Sequence, residues 1–169
     1  MTFRIGEKVV YPNQGVGTIE NITCRPSGSR PEPFYLLRFS SNSMTVLVPF
    51  SHVQQVGLRR VTTNGEIGRV LSYLSAGWCL HKQDWKDRFK ENSEKMRSGN
   101  LLGVAEVLKS LLVQQQKKPL SFREKRMLDR ARRMLVMELS SSRMLRESEA
   151  VQMIEKALAR ASLMLPDPL

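Results

Sequence analysis

The stretch Trp85-Lys86-Asp87-Arg88-Phe89-Lys90 sets a large aromatic ring among cations at the predicted start of a helix. Residues of these types can press an apolar face against nucleic-acid bases while Lys86, Arg88 and Lys90 hold phosphates. The spacing also allows a core reading, because Trp85, Phe89 and Met96 share one helical face. Two features favour the surface. Asp84 is a good N-cap, which puts Trp85 at the first helical position, and Lys82, Lys86, Arg88 and Lys90 surround it. Trp78, in Ala76-Gly77-Trp78-Cys79-Leu80, competes for the same role and is expected to be a packing plug at the end of the preceding helix.

No other constellation points to catalysis. His52 and His81 are the only histidines, and neither stands in a metal or nucleophile motif. Cys24 and Cys79 are the only cysteines, without CxxC or Cys/His ligand spacing, so free buried thiols are expected and no metal site or cofactor. No carboxylate pair, nucleophile with a base, or phosphate loop is visible, which argues against an enzyme.

The net charge of +11 on 169 residues makes polyanions the expected partners. The cations concentrate between Lys82 and Arg133, with 15 basic against 7 acidic side chains. Within that span Arg123, Arg126, Arg130 and Arg133 recur along one side of a predicted helix, with Lys125 and Arg132 on other faces. The bland alternative is that these arginines only pair with Glu124, Asp129 and Glu138 at i,i+4 spacing. No run approaches the roughly 20 apolar residues of a spanning helix, and the N-terminus lacks a signal-peptide core, so a cytosolic protein that does not use a membrane is expected.

The elements that must position these side chains fall into two groups, and the fold class expected is α+β. Residues 1–60 read as a β module of five short strands: Lys8–Tyr11, Val16–Ile22, Phe34–Phe39, Met44–Val48 and a last piece over Val56–Arg59. Pro12-Asn13-Gln14-Gly15, Arg25 to Pro31 and Ser40 to Ser43 are the turns between them, and the spacing suggests a small barrel of the SH3 or Tudor kind. Gly15 and Gly17 fit a strand that bends to close it. Residues 64–169 show helical periodicity and predict a bundle of about five α-helices. The first carries Ile67, Val70, Leu71 and Leu74; the second runs from Trp85 past Met96 to Ser98-Gly99-Asn100; the third starts at Leu101. The fourth begins with a capping box, Ser121 to Glu124, and buries Met127, Leu128, Ala131, Leu135 and Leu139. The fifth spans about Glu147 to Leu163, and the methionines of this half are expected to fill core gaps.

The sequence resembles the CarD/CdnL transcription regulators of bacteria, whose N-terminal module is shared with the transcription-repair coupling factor. The resemblance is carried by Phe3 to Gly17 (FRIGEKVVYPNQGVG), Val56-Gly57-Leu58-Arg59, Trp85 with Arg88-Phe89-Lys90, Ser98-Gly99, Val104 to Leu108, and Leu120-Ser121 with Glu124 to Leu128. It covers nearly the whole chain.

That resemblance implies a β module over 1–60 that docks on the β subunit of RNA polymerase. It also implies a helical domain over 64–169 that contacts promoter DNA at the upstream edge of the melted −10 region, with low sequence specificity. Trp85 would be the minor-groove wedge; Arg88, Lys90 and Lys125 would match phosphate contacts, with Lys86, Arg123 and Arg126 beside them. The polymerase contact would use the outer edge of the β module at Val46, Leu47, Val48 and Pro49, with Arg25 as its basic residue. Leu47 stands where some relatives carry a basic residue, and Asp87 where a second arginine often follows the tryptophan. A non-catalytic monomer, cytoplasmic and associated with the nucleoid, is the expected form. Two other readings remain: a polymerase-independent DNA- or RNA-binding module in which the small barrel itself grips the nucleic acid, and a protein-interaction adaptor with Trp85 in its core.

Overall fold

In the computed structural model the chain divides into two units, Met1–Val61 and Thr62–Leu169. The structure describes all residues except Met1, Asn13, Gly28, Ser29, 78–84 and Gly99, and only the main chain of Pro26, Ser27, Trp85 and Lys86. The expectations placed on Trp78, Cys79, His81, Lys82 and Asp84, and on the side chains of Trp85 and Lys86, therefore lie outside the described residues.

The first unit is one antiparallel sheet of five strands in the order β4-β3-β2-β1-β5. They are β1 (Lys8–Tyr11), β2 (Gly15–Ser27), β3 (Arg30–Phe39), β4 (Thr45–Pro49) and β5 (Arg59–Arg60). The α+β class holds, but the sheet is open rather than a closed barrel, with β4 and β5 as its edges. Strand β2 also runs past the predicted end at Ile22, so the segment expected as a turn is a paired ribbon, Arg25 opposite Glu32 and Ser27 opposite Arg30. Its prolines are tolerated because β4 pairs with β3 only from Phe34 to Arg38, leaving Pro31 and Pro33 without a second neighbour. Cys24 sits on this ribbon and is exposed, contrary to the buried thiol expected, because the ribbon there has no core to cover.

Gly17 is required by close approach. A Cβ there would lie 2.7 Å from Leu37 Cδ1 and 2.9 Å from the Arg38 carbonyl oxygen. The register slips at Glu20, between the pairs Ile19–Leu37 and Asn21–Leu36, which bends β2 over the core. That core contains Phe3, Val9, Ile19, Tyr35, Leu37 and Val48. Tyr35 is its centre: the ring stacks on Phe50 at 4.1 Å, and its hydroxyl accepts from the Phe3 N–H at 3.0 Å. Removing that hydroxyl strands a buried amide, at a cost of about 1–3 kcal/mol. The last predicted strand is corrected too. Val56 ends a short helix, α1 (Val53–Val56), because Gly57 takes the left-handed conformation (φ 74°) that closes it, and pairing resumes only at Arg59.

The second unit contains five further helices among the described residues: α2 (Asn64–Ser75), α3 (Trp85–Ser98), α4 (Leu101–Lys117), α5 (Phe122–Arg143) and α6 (Glu147–Arg160). α4 is the central one, with Leu101, Val104, Ala105, Val107, Leu108, Leu111 and Leu112 buried and α2, α3 and α5 packed on it. α5 starts with the predicted capping box: the Ser121 hydroxyl accepts from the Glu124 N–H, and the Glu124 carboxylate accepts from the Ser121 N–H. α6 stops short of the expected Leu163. Ser162 is left-handed (φ 58°), and the Leu163 N–H turns back to the Leu158 carbonyl at 2.9 Å. Met96 and Met134 do fill the core, whereas Met144, at the end of α5, and Met164, in the segment beyond α6, are exposed.

Candidate nucleic-acid interface

Trp85 is the first residue of α3, and Asn92 and Met96 turn inward from the same helix. Phe89, one turn beyond Trp85, is half-buried, and the Arg123 guanidinium lies over its ring at 4.5 Å. This cation–π contact, worth about 0.5–2 kcal/mol, fastens the first turn of α5 to α3. Arg88 beside Phe89 is half-buried and Lys90 is exposed. The structure thus brings Arg88, Lys90 and Arg123 into one neighbourhood.

The first turn of α5 sorts its side chains by period. Glu124 points in with Leu128, Ala131 and Leu135. Its carboxylate accepts from the Ser121 N–H at 3.2 Å, the Ser121 hydroxyl at 3.0 Å and the Gln114 side-chain amide at 2.8 Å. At 100° per residue Arg123 and Lys125 flank that inward direction, and Phe122 and Arg126 point away from it. All four are exposed, and the Arg126 guanidinium lies 5.7 Å from the Phe122 ring centroid. Lys125 is therefore on the opposite flank of α5 from the Arg123–Phe89 contact.

Not every cation in this region is available to a ligand. The Lys95 ammonium lies 2.8 Å from Glu106 and 3.4 Å from Glu91, tying α3 to α4. Burial opposes its charge, but the bond to Glu106 and the charges of Glu106 and Glu91 hold it above the ordinary lysine range. Lys109 is fully buried and donates to the carbonyls of Tyr73 at 2.6 Å and Ala76 at 2.7 Å, capping the end of α2. The i,i+4 pairing expected for the arginines of α5 forms between Arg133 and Asp129, at 3.2 Å. Glu124 is used as described, and Glu138 is buried on Thr62, accepting from its N–H at 2.9 Å and from its hydroxyl.

On the β unit, β4 is an edge strand, and alternation splits the predicted polymerase residues. Val46 packs against the core and Val48 is buried, whereas Leu47 and Pro49 face the other way and are half-buried. Val48 can offer a partner only its main chain. Arg25 is on β2 opposite Glu32, and Glu32 accepts from the Ser51 N–H at 3.1 Å, so Arg25 belongs with the Pro49 end of that edge.

Sequence reasoning passed over Phe122 and Lys109, and named Glu138 only as an i,i+4 partner for arginine, not as the group that holds Thr62. The signal for Phe122 was present, since a capping box that turns Glu124 inward turns Phe122 outward. For Lys109 and Glu138 the period gives burial but no partner. Among the described residues no cluster of His, Cys, Asp and Glu could hold a metal ion, and no helix is long and apolar enough to cross a membrane.

Comparison with known proteins covers both units. Residues 3–62 match the CarD-like/TRCF RID domain, and residues 69–155 match the CarD C-terminal domain. The chain is 33% identical over 137 residues to the candidate transcription factor YdeB of Bacillus subtilis (strain 168), covering 81% of this chain and 90% of that protein. Among solved structures, it is 36% identical to CdnLNt from Myxococcus xanthus, covering 38% of this chain and 90% of that one, with a TM-score of 0.33. It is 30% identical to the solution structure of the 72-residue N-terminal domain of Myxococcus xanthus CarD, covering 35% and 79%, with a TM-score of 0.31.

Proposed function

This chain belongs to the CarD/CdnL family of transcription regulators, and from that premise we propose that it docks on the RNA polymerase β subunit and stabilises the open promoter complex without catalysing a reaction. The β unit supplies the tether through the β4 edge, where main-chain pairing is completed by Leu47, Pro49 and Arg25. The helical unit supplies the DNA contact: Trp85 wedges at the upstream edge of the melted −10 region, and Lys86, Arg88, Lys90, Arg123, Lys125 and Arg126 hold phosphates. The setting is the cytoplasm, at the nucleoid, with the protein acting as a monomer.

The observation that carries this reading is the Arg123–Phe89 contact at 4.5 Å, which gathers cations from α3 and α5 around the helix that begins at Trp85. The energetics are consistent with a tethered factor. One ring and a few phosphate contacts bind DNA weakly, but tethering to polymerase raises the local concentration to about millimolar, so weak contacts suffice. A ring beside a base step that is already opening hinders reclosure without bearing the whole penalty of unstacking.

The test is the lifetime of the open complex on a promoter with the cognate polymerase, measured without factor, with wild type and with Trp85→Ala. Stacking of one aromatic contributes about 1–3 kcal/mol, so wild type lengthens the lifetime and Trp85→Ala loses roughly fivefold or more of the gain. Thermal melting of both proteins accompanies the assay. No effect of wild type sinks the proposal, and a Trp85→Ala protein that fails to fold returns the ring to the core and favours an adaptor.

A further inference from the structure

Phe122 is 71% exposed, the most exposed aromatic ring among the described residues that the fold holds in a regular element. Its position is not incidental. The capping box of Ser121 and Glu124 fixes the first turn of α5, the inward direction belongs to Glu124, and Phe122 is thereby directed outward. The Arg126 guanidinium at 5.7 Å lies against one part of the ring, and Arg123 next to it is held on Phe89. An exposed phenylalanine flanked by Arg123, Lys125 and Arg126 is poorly suited to a protein partner, because seating the ring would strip water from several cations at once.

We infer that Phe122 is a second aromatic contact to DNA, stacking on a base that has left the duplex while Arg123 and Arg126 hold the neighbouring phosphates. The inference rests on the reading of α3 and α5 as the DNA-contacting face. A phenylalanine has no donor or acceptor with which to read base edges, and in an intact duplex the faces of the bases are covered by their neighbours. What this ring can offer is its π-face, and an unstacked base in the melted region is what accepts it. The arginine beside the ring adds attraction for the adjacent phosphate and for the base itself.

The test uses the full chain and two fluorescent probes of one sequence, a single-stranded DNA and its duplex, with anisotropy read at low salt. Phe122→Ala weakens single-strand binding by about fivefold or more and leaves duplex binding unchanged, Phe122→Trp restores wild-type affinity, and Phe122→Lys does not. In the polymerase assay Phe122→Ala shortens the open-complex lifetime independently of Trp85→Ala. Equal losses on single strand and duplex, or full activity in Phe122→Lys, would assign the site to charge alone and overturn the inference. So would a fall in melting temperature for Phe122→Ala, which would make the ring structural. If wild type leaves the open complex unaffected but Phe122→Ala still loses single-strand binding, the proposed function fails and the stacking contact stands.

Discussion

The β unit keeps its charges outside and the helical unit buries some of its own. In the β unit the Arg38–Glu20 pair at 2.8 Å and the Arg60–Glu7 pair at 2.7 Å lie on the surface of an apolar core. In the helical unit Lys109, Glu124 and Glu138 are buried, and each holds main-chain atoms: Lys109 the end of α2, Glu124 the start of α5, Glu138 the chain at Thr62. The difference follows from how each architecture satisfies its backbone. A strand finds partners in the next strand, whereas a helix leaves donors and acceptors open at its ends, and in a bundle those ends are partly buried. The helical unit therefore commits some of its cations to structure, and those left exposed, among them Lys90, Arg123, Lys125 and Arg126, are the ones available to a polyanion.

The largest effect should come from removing a buried charge. Lys109→Met keeps much of the side-chain volume but leaves the carbonyls of Tyr73 and Ala76 without the ammonium that holds them. Breaking such an arrangement costs about 3 kcal/mol or more, visible as a lower urea midpoint in helical ellipticity. Arg38→Met in the β unit, which removes an exposed pair, should move its midpoint little. If both variants shift the midpoint equally, the contrast between the units is wrong.

How far the sequence reveals this arrangement depends on the kind of signal. Periodicity locates each helix among the described residues of the second unit, and the Ser121–Glu124 capping box is legible because its two partners are three residues apart. The β2–β3 ribbon is not legible in the same way. Arg25-Pro26 and Arg30-Pro31 look like turn chemistry, and only the absence of β4 beyond Phe34 makes extended pairing acceptable there. Val56 misleads for a similar reason, since β-branching suggests a strand while Gly57 beyond it closes a helical turn. At the candidate site the residue types are visible but their partners are not. Nothing in the spacing of Lys109 and Tyr73, or of Arg123 and Phe89, announces contacts between residues so far apart in the chain. The same holds for Cys24, whose exposure depends on a ribbon that extends past the core.

A middling effect sharpens the comparison on the binding side. Removing one cation that holds a phosphate should lower the slope of log affinity against log salt by about 0.9, with little change in thermal melting. Lys90→Ala and Lys125→Ala take exposed cations from α3 and from the far flank of α5. If both lower the slope, the DNA spans both sides of the first turn of α5. If only Lys90→Ala does, the DNA lies on the side of the Arg123–Phe89 contact, and Lys125 is a solvated charge.

The smallest effect asks whether the exposed charges of the β unit matter at all. Arg60 does more than pair with Glu7: its guanidinium also donates to the Thr2 carbonyl at 2.8 Å and lies 5.3 Å from the Phe3 ring centroid, joining the N-terminal segment to β5. The Glu7 carboxyl is held below the usual carboxylate range, first by the Arg4 N–H that donates to it at 3.0 Å; desolvation opposes this, and the hydrogen bond and charge of Arg60 and the charge of Arg4 add to the lowering. A lowered folded pKa means that the ionised form is favoured by folding. The stabilisation is therefore fully present above the unfolded carboxylate value, about 4.3, and is lost as pH falls through the folded value. Glu7→Gln should then be less stable than wild type at neutral pH by less than about 1 kcal/mol, because the pair is exposed and screened. The gap should close in acid, once pH has fallen through the folded value and the neutral Glu7 carboxyl resembles the amide. Hydrogen exchange at Val9 and Val10, which pair with both β2 and β5, reads this locally. A gap that persists unchanged into acid would mean that the substituted amide disturbs packing rather than charge, and that the surface pairs of the β unit are as structural as the buried ones of the helices.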